Sequence, residues 1–123
     1  GASPQNDHAM LCSVREGKVA VHADAQPTLS DGTAGSVEPG AITVPLCLEL
    51  VDDWVLASEE QIANAMRLYM IHDNQLIEGA AGVAVAGLLN MATTQSELVK
   101  GKTIVVIICG ARIDLPKLAK ILV

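Results

Sequence analysis

The most constraining feature of the sequence is an unbroken run of six apolar residues, 104–109, that ends against Gly110. A run of this kind, without polar alternation, is typical of a β-strand buried on both faces, as in parallel sheets. The preceding segment EGAAGVAVAGLLNMA, residues 78–92, consists almost entirely of small and apolar residues and predicts a helix that is buried on most sides. Together they predict an α/β fold, a partial parallel sheet flanked by helices.

Cap and turn residues predict the remaining elements. Ser3 and Pro4 suit a helix N-cap and first helical position, so we expect a helix over residues 4–16. The S-E-E-Q sequence at residues 58–61 is a capping box and predicts a helix to about His72. The remaining predicted elements are a short alternating piece at 18–22, a loop at 24–41, a short helix capped by Thr43, a strand at 53–57 and a last helix capped by Asp114.

Length and charge limit the classes of function. The 123 residues suffice for one domain, and the net charge of −6 comes with eight basic residues that form no cluster. We therefore expect neither nucleic-acid binding nor attachment to a membrane, since the longest apolar run, 80–89, is also too short to cross a bilayer. Three widely spaced cysteines suggest a reducing compartment, and we expect a cytoplasmic protein. The start without Met, at a predicted helix cap, suggests a piece of a longer protein.

Few residues are candidates for chemistry by pattern alone. The glycines of residues 79–87 lack the G-x-G-x-x-G spacing of a dinucleotide site, and tight helix packing is the better interpretation. No lysine lies in an apolar setting that would lower its pKa for nucleophilic chemistry. Two residues stay open. Glu78 is either a charge favoured at a helix N-terminus or a site residue. Cys109 is either a core residue or a ligand-binding thiol at the carboxyl end of a strand.

Four segments in order carry a resemblance to a known family. They are QPTLSDGTAG, ELVDDWVLASEEQIANAMRL, LIEGAAGVAVAGLL and GKTIVVIICGARIDL. Together they resemble the C-terminal part of the pyridoxal-phosphate enzymes of the tryptophan synthase β-like fold. The similarity is greatest to the serine/threonine dehydratases, or threonine ammonia-lyases, and their serine racemase relatives. It covers nearly the whole chain, so residues 1–123 are expected to be a single segment of the large domain of such an enzyme.

The resemblance implies roles for four residues. Cys109 falls where the family places a Ser, Thr or Cys that hydrogen-bonds the pyridine nitrogen of pyridoxal phosphate, and Gly110 follows it in the same motif. Glu78 falls where the family has a Glu facing the cofactor ring, with Gly79 in place of a frequent proline. Asp31 matches a ligand of the monovalent or divalent cation that some members bind, although Gln26 or Pro27 stands where an acidic ligand is expected.

The resemblance also implies what the chain lacks. The family's catalytic lysine, phosphate loop and substrate-carboxylate residues precede the matching region, so we expect the N-terminal catalytic portion to be absent. The implied parent enzyme is a homo-oligomer that converts a hydroxy-amino acid to a 2-oxo acid and ammonia, and this chain alone is expected to be inactive. The alternative is a stand-alone, non-catalytic α/β module that binds a ligand or mediates subunit contacts.

Overall fold

Two short strands form a parallel sheet at the centre of the fold. The computed structural model covers residues 1–123 and pairs β1 (Ala2–Pro4) with β2 (Val55–Ala57). Ala2 lies opposite Val55 and Pro4 opposite Ala57. Because the strands are parallel, the chain between them has to cross back along the sheet, and it does so through two helices and a long loop. The predicted α/β class with a partial parallel sheet is confirmed.

Six α-helices surround this sheet. They are α1 (Ala9–Glu16), α2 (Thr43–Leu50), α3 (Glu59–Asp73), α4 (Gly79–Thr94), α5 (Ser96–Val99) and α6 (Leu115–Leu122). A single 3₁₀ turn lies at Asp31–Thr33, inside the long loop. None of the helices combines the length and the apolar character that a membrane span requires.

Small residues let α4 pack closely on two sides. A Cβ atom placed on Gly82 would lie 2.6 Å from Cγ of Met66, which belongs to α3. A Cβ atom on Gly87 would lie 3.1 Å from Cβ of Ala2, which belongs to β1. The glycines of this helix therefore serve close helix–helix and helix–sheet contacts, as the sequence predicted. The core on the α3 side is built from fully buried aliphatic residues such as Ile62 and Met66.

The sequence predicted the start of one helix correctly and the start of another wrongly. The predicted capping box is present, since Ser58 accepts the Gln61 N–H and the Gln61 side chain accepts the Ser58 N–H. The prediction of a helix from Pro4 is wrong, because Pro4 is the last residue of β1 and α1 begins only at Ala9. A proline with its fixed φ suits the end of a strand as well as the start of a helix, and pairing with β2 decides between them.

The prediction of a doubly buried strand at residues 104–109 is also wrong. These residues have no regular secondary structure, and Val105 and Ile107 are 81% and 70% exposed. A groove of about 560 Å³ separates the segment from the open edge of β1. An apolar strand becomes buried only when a strand or helix covers each face and a neighbour accepts its backbone hydrogen bonds. In this chain no such neighbour lies beside residues 104–109.

Candidate functional site

Glu78 and Gly110 are brought together although they are distant in sequence. Glu78 occupies the N-cap position of α4, and its backbone N–H donates to the carbonyl oxygen of Gly110 at 3.0 Å. A Cβ atom on Gly110 would lie 2.2 Å from the carboxyl carbon of Glu78. With glycine at position 110 the Glu78 carboxylate lies directly against the backbone, and a side chain there would require that carboxylate to move. Cys109, the residue before it, carries an exposed free thiol.

The 3₁₀ turn at Asp31–Thr33 lies on another side of Glu78. A Cβ atom on Gly32 would lie 3.7 Å from Oε1 of Glu78 and 3.3 Å from Cβ of Ala80. A pocket of about 180 Å³ is lined by Asp31 and Glu78 together with Arg112 and Lys117. The predicted site residues Glu78, Gly110 and Asp31 thus share one small region, and the chain connection brings Cys109 to its edge.

Leu29 packs its backbone directly against the start of α4. A Cβ atom on Gly79 would lie 1.8 Å from the carbonyl oxygen of Leu29 and 2.8 Å from the backbone nitrogen of Ser30. No residue with a side chain fits there unless the loop moves. This contact gives a physical reason for glycine at a position where the resembling family often has proline.

Glu59 holds the same part of the loop from α3. Its Oε1 accepts a hydrogen bond from Thr28 Oγ1 and its Oε2 accepts one from the Leu29 N–H, both at 2.6 Å. Both carboxylate oxygens are therefore engaged by the loop. Sequence reasoning missed this role, because a glutamate in the first turn of a helix is explained equally well by the helix dipole.

Asn6 and Asp7 hold the loop at two further points. The Asn6 side-chain amide donates to the carbonyl oxygen of Pro27 at 2.7 Å. The buried Asp7 carboxylate accepts the Gly35 N–H at 2.7 Å and lies 3.8 Å from Nδ1 of His22. We refer to residues 27–35, which these contacts span, as the Asp31 loop.

Asp31 forms an ion pair with Lys117 of α6. The hydrogen bond from the Lys117 ammonium lowers the pKa of Asp31, and the same bond raises the pKa of Lys117. The structure contains no group of three or more His, Cys, Asp or Glu side chains that could hold a metal ion. The single carboxylate expected as a cation ligand thus interacts with a side chain of the protein. The remaining four lysines are exposed, so none lies in the desolvated setting of a reactive amine.

Comparison with known proteins establishes the family. The model of the family "Pyridoxal-phosphate dependent enzyme" matches residues 1–110. The chain therefore belongs to the family of pyridoxal-phosphate dependent enzymes, and within it the resemblance to serine/threonine dehydratases is confirmed by the relatives described next.

The sequence relatives are threonine-converting enzymes. The chain is 34% identical over 122 residues to an L-threonine ammonia-lyase of Thermotoga maritima, covering 99% of this chain and 29% of that protein. It is 36% identical over 121 residues to the catabolic L-threonine dehydratase TdcB of Escherichia coli K12, covering 98% of this chain and 36% of that protein. The chain thus spans about a third of the length of these relatives.

Solved structures show the same fold. The processed form of threonine deaminase isoform 2 from Solanum lycopersicum superposes with a TM-score of 0.80 at 30% identity, over 96% of this chain and 33% of that one. Maize serine racemase gives a TM-score of 0.80 at 23% identity, over 97% of this chain and 36% of that one. The latter likeness shows the fold alone, which is that of the tryptophan synthase β-like enzymes.

The residues present fit one side of a pyridoxal phosphate site. The family implies this cofactor, whose pyridine nitrogen needs a hydrogen-bonding partner and whose phosphate needs several donors. An exposed thiol at Cys109 and a carboxylate held against Gly110 have the chemistry that the nitrogen and the ring require. Cys109, Gly110 and Glu78 carry no cationic side chain for a phosphate.

The contact between Leu29 and Gly79 makes a testable prediction. Replacing Gly79 with Ala should lower the free energy of unfolding by about 1–3 kcal/mol, because the new methyl group displaces the Leu29 carbonyl. Helix propensity alone would favour Ala by about 1 kcal/mol, so the loss has to exceed that gain. Urea denaturation measures the difference. Asn64→Ala, at an exposed position of α3, is the control that reports propensity without a contact; equal stabilisation by both substitutions would contradict the close approach.

Proposed function

We propose that this chain forms one side of the cofactor site of a pyridoxal-phosphate-dependent dehydratase. The parent protein would convert a small hydroxy-amino acid, threonine or serine, to a 2-oxo acid and ammonia. The observation that carries the proposal is the placement of Glu78 against Gly110, the residue that follows Cys109 in the chain. The names of the relatives, L-threonine ammonia-lyase and L-threonine dehydratase, support the choice of reaction.

Each site residue would have a separate task. When bound, pyridoxal phosphate supplies the electron withdrawal that weakens bonds at the α-carbon of an amino acid. The Cys109 thiol would hydrogen-bond the pyridine nitrogen without bringing a charge, which leaves that nitrogen unprotonated. Gly110 would keep the Glu78 carboxylate beside the ring by leaving space for it. The Asp31 loop would hold the start of α4, and with it Glu78, in place.

The remaining tasks would fall to residues outside this chain. Four of its lysines are exposed and Lys117 is paired with Asp31, so none suits covalent attachment of the cofactor. The chain also spans only about a third of the length of its relatives. We therefore infer that the lysine, the phosphate donors and the substrate-carboxylate donors are provided by a longer polypeptide.

Assay of both forms tests this division of tasks. The natural polypeptide that contains this sequence should release a 2-oxo acid from L-threonine or L-serine in the presence of pyridoxal phosphate. The 123-residue chain alone should give no more product than free cofactor does. If the natural polypeptide turns over neither amino acid, the dehydratase proposal is rejected. Turnover by the 123-residue chain would reject the inference about the lysine.

The role of Cys109 can be tested by two substitutions in the active polypeptide. Cys109→Ser keeps a neutral group that donates and accepts, so kcat at saturating cofactor should largely survive. Cys109→Asp places a negative charge at the ring nitrogen and favours its protonated form. This should lower kcat by roughly tenfold or more, which corresponds to about 1.4 kcal/mol at the barrier. Equal kcat values for the two variants would mean that Cys109 does not face the ring nitrogen.

The exposed apolar surface supports a further proposal, that the chain associates with other polypeptide. The edge of β1, Leu50 and residues 104–107 line an apolar groove that nothing in the chain fills. Open strand edges and large apolar patches favour pairing with another segment. The same surface would serve as the subunit contact of a homo-oligomer, or as the binding face of the alternative, a non-catalytic interaction module.

Sedimentation at micromolar concentration tests the association. The isolated 123-residue chain should sediment as an oligomer or aggregate, because Val105 and Ile107 expose 81% and 70% of their surface. Replacing both with Thr, which keeps the β-branched shape and adds a hydroxyl, should shift the distribution towards monomer. Replacing Val21 with Thr is the matched control, because Val21 is 73% exposed elsewhere on the surface. A stable monomer of the unmodified chain would contradict this proposal.

A further inference from the structure

The Asp31 loop offers few carboxylate oxygens to a cation. Mg²⁺ requires six oxygen ligands in near-octahedral geometry, and Ca²⁺ takes six to eight, with carboxylates supplying the charge. Asp31 is the only carboxylate in the loop itself. Glu59, the nearest carboxylate from α3 that contacts the loop, has one oxygen on Thr28 and the other on Leu29.

Several neutral oxygens of the loop are also engaged within the protein. The hydroxyl of Ser30 shares a hydrogen bond of 2.6 Å with that of Thr33, and Thr33 Oγ1 donates to the Ser30 carbonyl at 3.0 Å. The Pro27 carbonyl accepts from Asn6 at 2.7 Å, at one of the two positions, Gln26 or Pro27, where the resembling family would place an acidic ligand. Glu78 and Asp114 line the same pocket as Asp31, but no three His, Cys, Asp or Glu side chains come together to hold a metal ion. The donor set therefore does not fit a bound metal ion.

A positive charge is nevertheless present beside Asp31, because the ammonium group of Lys117 donates to its carboxylate. Lys117 belongs to α6, and the side chain of Ile121 in the same helix is buried in the core cluster. Arg67 of α3 donates to the Ile121 carbonyl at 2.7 Å. Helix α6 is thus held on α3 independently, which fixes the position from which Lys117 reaches the loop.

We propose that Lys117 supplies the positive charge that a bound cation would otherwise supply at the Asp31 loop, so that the loop is stable without any metal ion. The proposal rests on the proposed function in that the loop packs on the start of α4, where Glu78 would face the cofactor. It makes the site of this protein independent of monovalent and divalent cations. It concerns stability and ion binding, so it can be tested without an activity assay.

The first measurement is thermal unfolding of the natural polypeptide with MgCl2, CaCl2 or KCl after treatment with a chelator. The expected result is no saturable rise in Tm and no binding heat by titration calorimetry with any of the three salts. A saturable rise in Tm that disappears in the Asp31→Asn variant would show a cation bound at this loop and would overturn the proposal.

The second measurement compares lysine variants at low ionic strength, where exposed ion pairs are least screened. Lys117→Met should lower Tm by about 1–3 °C, the range expected for an exposed ion pair in a protein of this size or larger. Lys102→Met removes the same charge from an exposed position outside the helices that makes no ion pair, and should leave Tm unchanged.

Two further variants separate loss of charge from loss of folding. Lys117→Arg keeps the charge and should keep the Tm of the unmodified protein. Lys117→Met in the Asp31→Asn background should cost no additional stability, because the partner is already neutral. Equal effects of Lys117→Met and Lys102→Met, or the full cost of Lys117→Met without the Asp31 carboxylate, would overturn the proposal. If the unmodified protein has no dehydratase activity, the proposed function is rejected and these results are unaffected.

Discussion

The pair of hydrogen bonds that Glu59 accepts from Thr28 and Leu29 determines the geometry of the candidate site. Hydrogen bonds to a charged group contribute about 1.5–3 kcal/mol each, whereas ordering the backbone of one residue costs about 1–2 kcal/mol. One carboxylate can therefore order only a few residues of a long loop. This explains why the Asp31 loop has additional contacts spaced along it, from Asn6 to Pro27, from Lys117 to Asp31 and from Asp7 to Gly35.

These contacts come from three parts of the chain that are distant in sequence. Asn6 and Asp7 follow β1, Glu59 begins α3 and Lys117 lies in α6. Since each of them binds the loop, the loop joins the sheet, the central helix pair and the last helix around one point. That point is the start of α4, where the Leu29 carbonyl lies on Gly79 and leaves no space for a side chain. The position of Glu78 is therefore a property of the whole fold and not of its own helix.

Elements with a complete local signal were predictable from the sequence. The capping box at Ser58 and the small residues of α4 each contain the reason for their structure, and both predictions were confirmed. The apolar run at residues 104–109 has no complete local signal of this kind. Its composition predicts burial, but burial depends on neighbours that the run cannot specify, and in this chain those residues are largely exposed. The helix start predicted at Ser3 and Pro4 was wrong for a related reason, since their pairing with β2 depends on residues more than fifty positions away.

The residues of the candidate site also differ in whether the sequence could predict them. Glu78, Gly110 and Asp31 were predicted through their resemblance to a family, because a motif preserves the result of a three-dimensional arrangement in a one-dimensional pattern. In the structure Asp31 and Glu78 line one pocket and Gly110 contacts Glu78, and their roles towards a cofactor stay predictions. Glu59 and Lys117 were not predicted, since a charged residue in a helix turn has an adequate local explanation and gives no sign of a distant partner.

One consequence concerns how the two kinds of residue would tolerate change. Gly79 is restricted by backbone atoms that cannot move without displacing the loop, whereas Gly110 meets only the flexible end of the Glu78 side chain. Lys117 and Asp31 are restricted only by charge and reach, because both side chains are partly open to solvent, 40% and 63% exposed. Exposed pairs contribute little stability on average, so the Asp31–Lys117 pair can specify where the loop lies without supplying much of its free energy. The packing of the Leu29 backbone on Gly79 therefore contributes the rigidity of the site, and the ion pair selects the position of the loop against α6.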